Sequence, residues 1–339
     1  MSVNLIKVSV IVPIYNAGEN LVRCLDTIVN QTLRDIEIIL VLDCPTDGSD
    51  VIAKKIAQQD SRIIILENTK KLHIGESRNR GIKIAKGEYL HFSDHDDYRE
   101  LDMLEKMYNM AVAENLDMLI SNPVAISDGK LKEYNTDKEQ KDRDKVLRHL
   151  LRGGYNDEKH PWSYYTYIHN ILYRRDMIIS NNVQFVDTRE ITPEDYIFNV
   201  ECLCYASKVN ELKENLYYHV LWSGSAGHNS SYYTGARRSL GFIYVDNLLR
   251  KKSLLDIYKK DFYHNLVKNH IFLLFRAIEI NHSVIEFFKC IRFYRKNKCI
   301  VEAFELYKER VGEEYKGVKK IIINSLIGLV ICKNQSHKS

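Results

Sequence analysis

The sequence contains little that is typical of secreted, membrane-spanning or zinc-knuckle proteins. Its cysteines are odd in number, and Cys202 and Cys204 have the wrong spacing for a zinc knuckle. The longest late apolar run, Ile321 to Cys332, is shorter than the roughly 20 residues that cross a bilayer. The first residues pass directly into a strand pattern, without the apolar segment and cleavage site of a signal peptide. We therefore expect reduced thiols and a cytoplasmic location.

The chain lacks the loops that are typical of two classes of nucleotide-binding enzyme. The stretch after the first predicted strand, Pro13 to Gly18, reads PIYNAG and is not a glycine-rich phosphate loop, which leaves a nucleotidyltransferase as a weaker alternative. The pattern G-x-G-x-x-G of dinucleotide oxidoreductases is also missing. The net charge of +4 is too small to indicate nucleic-acid binding, so we expect no nucleic-acid partner.

Charge is distributed unevenly along the chain. Residues 250–339 contain 19 Lys and Arg against 9 Asp and Glu, whereas the rest of the chain contains 30 against 36. A basic tail on an acidic body favours contact with an anionic surface, and a membrane leaflet is the expected one. The alternative is that the basic helices pack on the rest of the protein with their charges solvated.

Strand and helix patterns alternate over the first hundred residues. The strand patterns cover Val8–Val12, Ile36–Leu42, Ile63–Leu66 and a fourth apolar run that begins at Tyr89. This order predicts an α/β fold with a mostly parallel sheet and helices on both faces. Ligands of such sheets bind beyond the carboxyl ends of the strands. The residues brought to that edge are Pro13–Asn16, Asp43–Asp47 and Asp94–Asp97.

The later chain is less regular. The patterns predict a helix over Leu101–Ala113, a strand over Leu116–Ile120 and a hairpin over Val209–Val220. A further helix begins near Pro193, and the pattern is helical from Thr234 onward.

An acidic cluster follows the fourth strand, in the stretch EYLHFSDHDDY. Asp94, Asp96 and Asp97 repel one another, and a divalent cation such as Mg²⁺ or Mn²⁺ is the usual reason for such a cluster at a strand end. A solvated acidic turn is the plainer interpretation. An EF-hand is excluded, because the position that needs glycine holds Arg99.

Four segments in order resemble the family 2 glycosyltransferases with the GT-A fold: VSVIVPIYNAGENLVRCLDTIVNQT, EIILVLDCPTDGSD, SRNRGIKIAKGEYLHFSDHDD and PEDYIFN. The resemblance is dense over Val8–Tyr98 and looser over Pro193–Tyr217. It implies a GT-A-like, Rossmann-like catalytic domain over residues 1–230. Residues 1–98 would bind the nucleotide sugar, residues 99–230 would bind the acceptor, and residues 231–339 would form a basic helical C-terminal region.

The resemblance implies roles for residues at the nucleotide end. Pro13 and Tyr15 would form the wall on which uracil stacks, although a lone Tyr15 is more often ordinary packing. Asp43 would accept a hydrogen bond from the base or the ribose. The family usually has two acidic residues followed by Gly-Ser there, whereas this chain has Leu42 and then Cys44-Pro45. That departure is the support for an alternative function, a catalytically inactive module that binds nucleotide sugars or glycans.

The resemblance also assigns the diphosphate end. Arg78 would bind the diphosphate, although it also fits an exposed surface position. Asp94 and Asp96 match the D-x-D motif: Asp96 would hold the Mn²⁺ or Mg²⁺ ion that bridges the phosphates, and Asp94 would orient the sugar or ribose. The stretch that contains His219, Trp222 and His228 matches a flexible loop that often closes over the diphosphate, although a lone histidine is more often structural.

The pair Glu194 and Asp195 would supply the catalytic base, with Asp195 as the base and Glu194 assisting it. The plainer interpretation is charge that complements a helix dipole. A carboxylate with an ordinary pKa of about 4 is already ionised at neutral pH.

The resemblance predicts an inverting, metal-dependent hexosyl- or N-acetylhexosaminyltransferase of the bacterial polysaccharide type. Its partners would be a nucleotide-sugar donor, expected to be a UDP-sugar, and a saccharide or lipid-linked saccharide acceptor.

Overall fold

A computed structural model describes residues 5–127, 129–133, 142–153, 164–221, 232–279 and 284–331. The strands are β1 Val8–Ile14, β2 Ile36–Leu42, β3 Ile63–Glu67, β4 Tyr89–Phe92, β5 Tyr98–Arg99, β6 Met118–Ser127, β7 Lys130–Glu133, β8 Ile171–Arg174 and β9 Val209–Leu221. The helices are α1 Asn20–Val29, α2 Ser49–Ala57, α3 His73–Ile84, α4 Met103–Ala113, α5 Arg143–Leu151, α6 Arg175–Ser180, α7 Glu194–Tyr205, α8 Tyr232–Lys251, α9 Leu255–Glu279, α10 Val284–Lys296, α11 Lys298–Lys308, α12 Val311–Glu314 and α13 Gly317–Ile331. The chain divides into two compact units, one formed by Met1–Leu150 with Gly154–Ser225 and the other by Leu151–Gly153 with Ala226–Ser339.

One mixed sheet organises the first unit, in the order β3-β2-β1-β4-β8-β6-β9-β5, with β7 paired to β6. The strands β3, β2, β1 and β4 are parallel, as the alternation of patterns predicts. Beyond β4 the sheet changes character, because β8 pairs antiparallel with both β4 and β6 while β6 and β9 run parallel. The predicted α/β fold with a helical C-terminal region is confirmed.

The core of the first unit lies between the sheet and its helices. Every residue of β1 and β2 is buried, which explains their continuous apolar sequences. Helix α1 buries one stripe, consisting of Leu21, Cys24, Leu25 and Ile28. Helix α3 approaches β1 closely at Gly81, where an added Cβ would lie 2.5 Å from Cγ2 of Ile11. This close approach fixes the height at which the side chains of α3 meet the ends of the strands.

The hairpin predicted over Val209–Val220 is wrong. The segment forms a single strand, β9, which runs parallel to β6 and pairs antiparallel with β5 at its far end. Its polar middle, around Glu214, resembles a turn in sequence. In the structure a register shift between β6 and β9 on either side of Asn122 takes up these residues without ending the strand.

The second unit consists of helices packed around aromatic side chains. Phe262, Tyr294 and Phe304 are buried in it, and Asp246 forms an ion pair with Arg250 at 2.7 Å.

Among the helices that the structure describes, none combines the length and the apolar character needed to cross a membrane. The six described cysteines are free.

Candidate active site

The loops that follow β1 and β2 are tied together at the sheet edge. The carboxylate of Asp47 accepts the backbone N–H of Gly18 at 2.8 Å, and the hydroxyl of Ser49 accepts that of Ala17 at 3.0 Å. Tyr15 projects from this edge with 37% of its surface exposed. The ammonium of Lys71 lies 3.4 Å from the centre of the Tyr15 ring, so a cation covers one face of the predicted nucleobase wall.

Asp43 lies at the end of β2, as predicted, but its carboxylate already has three internal partners. It accepts hydrogen bonds from the Asn68 side chain at 2.7 Å and from the backbone N–H groups of Leu72 and His73 at 2.6 and 2.8 Å. Asp43 therefore anchors the chain that leads into α3. Its contact with a nucleobase stays a prediction.

The acidic turn after β4 splits into carboxylates with different environments. Asp97 is fully buried and accepts hydrogen bonds from the Tyr217 hydroxyl at 2.9 Å and the Val220 backbone N–H at 2.8 Å. Burial raises the pKa of Asp97 well above its usual range, and the neighbouring charges of Asp94 and Asp96 add to this rise. Asp97 thus links the acidic turn to the end of β9.

A single buried guanidinium connects the two acidic motifs. Arg78 is 1% exposed, and its Nη2 donates to Oδ1 of Asp94 at 2.9 Å. Its Nη1 donates to Oδ1 of Asp195 at 2.6 Å and lies 3.3 Å from Oε1 of Glu194. Residues separated by about a hundred positions therefore converge on one side chain. The predicted role of Arg78 on a diphosphate stays a prediction, and in this structure its donors face carboxylates.

The pKa values of these carboxyls are shifted in opposite directions. Burial raises the pKa of Asp195 well above its usual range; Arg78 opposes this shift, and the charges of Glu194 and Asp94 add to it. Burial also acts to raise the pKa of Asp94, but His169 and Arg78 outweigh it and hold that pKa below its usual range. The ordinary pKa predicted for Asp195 therefore does not match its half-buried position among charged neighbours.

His169 adds an imidazole to the acidic turn. Its ring stacks on Tyr217 and Tyr167 with centroid distances of 4.3 and 4.9 Å, and its Nδ1 lies 3.6 Å from Oδ2 of Asp94. Both ring nitrogens are buried and have no hydrogen-bond partner within the described residues. Burial lowers the pKa of His169, and the adjacent carboxylate of Asp94 opposes this shift.

Asp94, Asp97 and His169 fit a divalent metal ion. One ligand atom from each residue lies within 4.8 Å of those of the other two. Carboxylate oxygens and a neutral imidazole are donors that suit Mn²⁺. Asp96 is outside this group, and its predicted role as the metal ligand stays a prediction.

The sequence patterns do not single out Asp97 or His169 for the site. Asp97 belonged to the recognised acidic cluster, but its burial was not predictable from the run itself. His169 lies in a stretch rich in tyrosine and histidine, without a periodic pattern. His219, by contrast, was predicted near the phosphates and lies 5.0 Å from His169 between ring centroids. Trp222 and His228 lie outside the described residues.

The family can be identified from the sequence that builds this edge. Residues 9–180 match the sequence profile described as Glycosyl transferase family 2. The chain belongs to glycosyl transferase family 2. It is therefore a glycosyltransferase, as the sequence analysis predicts.

Relatives in the family cover different shares of the chain. The glycosyltransferase GlyG of Streptococcus pneumoniae is 32% identical over 220 residues, which are 64% of this chain and 72% of GlyG. The cholesterol galactosyltransferase of Borreliella burgdorferi is 29% identical over 328 residues, 93% of this chain and 84% of that protein.

A solved structure supports the fold assignment. The crystal structure of S. aureus TarS 1–349 in complex with UDP-GlcNAc matches with a TM-score of 0.69 and 18% identity, covering 96% of this chain and 89% of that one. The predicted GT-A-like fold is confirmed.

Proposed function

We propose that this family 2 glycosyltransferase is an inverting, metal-dependent enzyme that moves a sugar from a UDP-sugar to a saccharide or lipid-linked saccharide acceptor in cell-surface polysaccharide synthesis. The observation that carries the proposal is the convergence of Asp94, Glu194 and Asp195 on Arg78 at the carboxyl edge of the parallel strands. Ligands of open α/β sheets bind at that edge.

The donor would bind across the ends of β1, β2 and β4. Pro13 and Tyr15 would face the uracil, and Asp43 would accept a hydrogen bond from the base or ribose. The complex of TarS with UDP-GlcNAc supports a UDP-sugar, because that protein shares the fold over 96% of this chain. Binding of the base at Tyr15 requires the ammonium of Lys71 to move off the ring or the base to use the other face.

Asp195 would act as the general base. It would take the proton of an acceptor hydroxyl while that oxygen attacks the anomeric carbon, and the bond from this carbon to UDP would break at the same time. Attack opposite the leaving UDP inverts the configuration. A raised pKa makes Asp195 a stronger base, and the positive charge of Arg78 favours its ionised form.

The residues that would hold Mn²⁺ or Mg²⁺ are Asp94, Asp97 and His169, whose ligand atoms lie close together. Asp96 of the D-x-D motif would add a further carboxylate. The bound ion would supply positive charge next to the diphosphate as UDP leaves. The protein itself holds these carboxylates in place at the strand end. Tyr217 and Val220 fix Asp97, and Arg78 fixes Asp94.

An acceptor carried by a lipid would bring the enzyme to a membrane surface, and α10 supplies a face for it. Ile285 and Phe288 are 70% and 58% exposed near its start. Lys289, Arg292 and Lys296 are exposed and follow on the same side at helical spacing. Exposed apolar residues beside basic ones are typical of helices that lie in the headgroup layer of anionic membranes.

Helix α13, in the same unit, also exposes basic and apolar residues next to one another. Nε of Arg295 on α10 donates to the Leu329 carbonyl at 2.7 Å. Ile321 and Ile322 of α13 are exposed after the exposed Lys320. The cholesterol galactosyltransferase, whose named acceptor is a lipid, aligns with 93% of this chain and so includes this unit, which also supports a lipid-borne acceptor.

The test is a panel of UDP-, GDP- and CMP-sugars, each with Mn²⁺ or with a chelator, scored by protection against thermal unfolding. We expect a UDP-sugar to protect in the presence of metal. Transfer from that donor to saccharide and lipid-linked acceptors is then followed, with the anomeric configuration of the product read by NMR. Protection by GDP- or CMP-sugars alone, metal-independent transfer, or a retained configuration would each contradict its part of the proposal.

A further inference from the structure

We infer that Arg78 is a positioning residue that holds the carboxylate of Asp195 in place against the acidic turn, and that it is not a ligand of the donor diphosphate. The inference rests on the proposed function, since it concerns the predicted base of that reaction. Its geometric basis is the pair of bonds from one guanidinium to Asp195 at 2.6 Å and to Asp94 at 2.9 Å.

The Arg78 guanidinium packs on an aromatic ring. It lies over the ring of Phe185, 5.1 Å from its centre. Phe185 in turn stacks on Phe198 of α7, with centroids 3.9 Å apart and planes 2° apart. Because α7 begins at Glu194, the helix that carries Asp195 and the side chain that binds it share the same aromatic support.

The helix that carries Arg78 is also attached to the segment that precedes α7. The side-chain amide of Asn79 accepts the backbone N–H of Phe185 at 2.8 Å and donates to the Phe185 carbonyl at 2.9 Å. At Gly75 an added Cβ would clash with the carbonyl oxygen of Val186, so the two backbones are in close contact. The helix that carries Arg78 is therefore fixed against the segment around Phe185 without any bound ligand.

A planar guanidinium suits this task better than an ammonium does. Its two ends point at different carboxylates in a fixed fork, whereas lysine offers one flexible point charge. The three carboxylates that surround Arg78 also repel one another, and its charge offsets that repulsion. The surroundings of Arg78 therefore suit a role in orienting these carboxylates.

The experiment is a mutant cycle with Arg78→Lys, Asp195→Asn and the double variant. For each protein, the dissociation constant of UDP is measured by calorimetry with a chelator present, because Arg78 also fixes Asp94 and a change there would enter any metal-dependent affinity. Turnover is measured with Mn²⁺ at saturating donor. We expect Arg78→Lys to change UDP affinity by less than about threefold and to lower turnover at least about tenfold. In the Asp195→Asn background the same change should have little further effect, because both residues act as one unit.

Other outcomes overturn the inference. A tenfold loss of UDP affinity with turnover preserved would make Arg78 a diphosphate ligand. Full additivity with Asp195→Asn would show that it does not act through that carboxylate. Failure of the unsubstituted enzyme to transfer any sugar would instead overturn the proposed function on which the inference rests.

Loss of folding is controlled in two ways. Arg62→Lys removes a comparable guanidinium, which binds the Asp60 carboxylate and the Val29 carbonyl at 2.7 Å in the same unit, and it should leave turnover unchanged. Asn79→Ala loosens the attachment of α3 to Phe185 without touching the ion pairs, and it should lower turnover while UDP affinity is kept. Unchanged turnover in Asn79→Ala together with Arg78→Lys would contradict the inference.

Discussion

The imidazole of His169 lies face to face with the ring of Tyr217, with centroids 4.3 Å apart and planes 13° apart. Stacking on this ring fixes the orientation of the imidazole, so its nitrogens keep a defined direction near Asp94. Tyr217 also donates its hydroxyl to Asp97. One tyrosine thus positions a carboxylate and an imidazole that can share a metal ion.

The first prediction concerns the metal. Asp96→Asn should abolish the additional thermal stabilisation that Mn²⁺ gives in the presence of UDP, and His169→Gln should weaken it, because each change removes a donor for the ion. Thermal unfolding with UDP, with and without Mn²⁺, measures this. Asp102→Asn is the control, since Asp102 is an exposed carboxylate paired with Lys106 at 2.9 Å. Metal-dependent stabilisation that persists in Asp96→Asn would remove Asp96 from the metal site.

The second prediction concerns the base. Asp195→Asn should leave donor affinity within about twofold and lower turnover by roughly 10² to 10⁴, the range for losing a general base. Glu190→Gln, an exposed change just before α7, is the matched control and should be neutral. Comparable turnover in Asp195→Asn would transfer the role to Glu194 or to another group.

The third prediction concerns acid stability. Burial lowers the pKa of His91 to about 3 and that of His219 to about 4, against 6.5 in the unfolded chain. Below pH 6.5 the unfolded chain therefore binds protons that the folded protein does not, so stability falls as the pH falls. Each such histidine costs about 1.4 kcal/mol per pH unit in this window.

Thermal unfolding at pH 7, 6 and 5 measures the effect. His91→Phe, which keeps an aromatic ring at the buried position, should show a smaller loss between pH 7 and pH 5 than the unsubstituted protein. Equal slopes in the two proteins would mean that His91 is protonated in the folded state.

The fourth prediction concerns the close contact of α3 with β1. Gly81→Ala places a methyl group 2.5 Å from Cγ2 of Ile11, so it should destabilise the protein by about 1–3 kcal/mol. Gly328→Ala on α13 is the control, since nothing lies within 4 Å of its added Cβ and alanine favours helix. Chemical denaturation compares the two. A neutral Gly81→Ala would show that Ile11 moves aside freely.

The fifth prediction concerns the membrane. The protein should bind anionic vesicles at low salt, release them at high salt and ignore neutral ones, because screening weakens the attraction of basic side chains to the leaflet. Replacing Ile285 and Phe288 by serine, or Lys289 and Arg292 by glutamine, should reduce sedimentation with the vesicles. Ile257→Ser on α9 is the control for loss of an exposed apolar residue, as Ile257 is 54% exposed. Equal binding to neutral and anionic vesicles would contradict the electrostatic part.

The sequence predicts the first half of the sheet well, because β1 and β2 are buried on both sides and appear as continuous apolar runs. It fails at β9, where polar residues near Glu214 suggest a turn. Whether such residues end a strand depends on the partner, and here β6 accommodates them through a register shift. That information lies in the pairing and not in the segment itself.

The candidate site shows the same division. Strand ends and acidic motifs locate Asp43, Asp94 and Asp195 at one edge, as local patterns predict. The partners of Arg78 and the burial of Asp97 depend on contacts between segments far apart in the chain. A single sequence contains no periodic signal for such contacts.

The tie between the loops after β1 and β2 has a dynamic consequence. Asp47 and Ser49 hold the amide groups of Gly18 and Ala17, so an opening of either loop breaks bonds to the other. These amide protons should exchange with solvent together, as one cooperative element. A donor that binds at these loops meets a backbone that is already ordered, so binding costs the protein little conformational entropy.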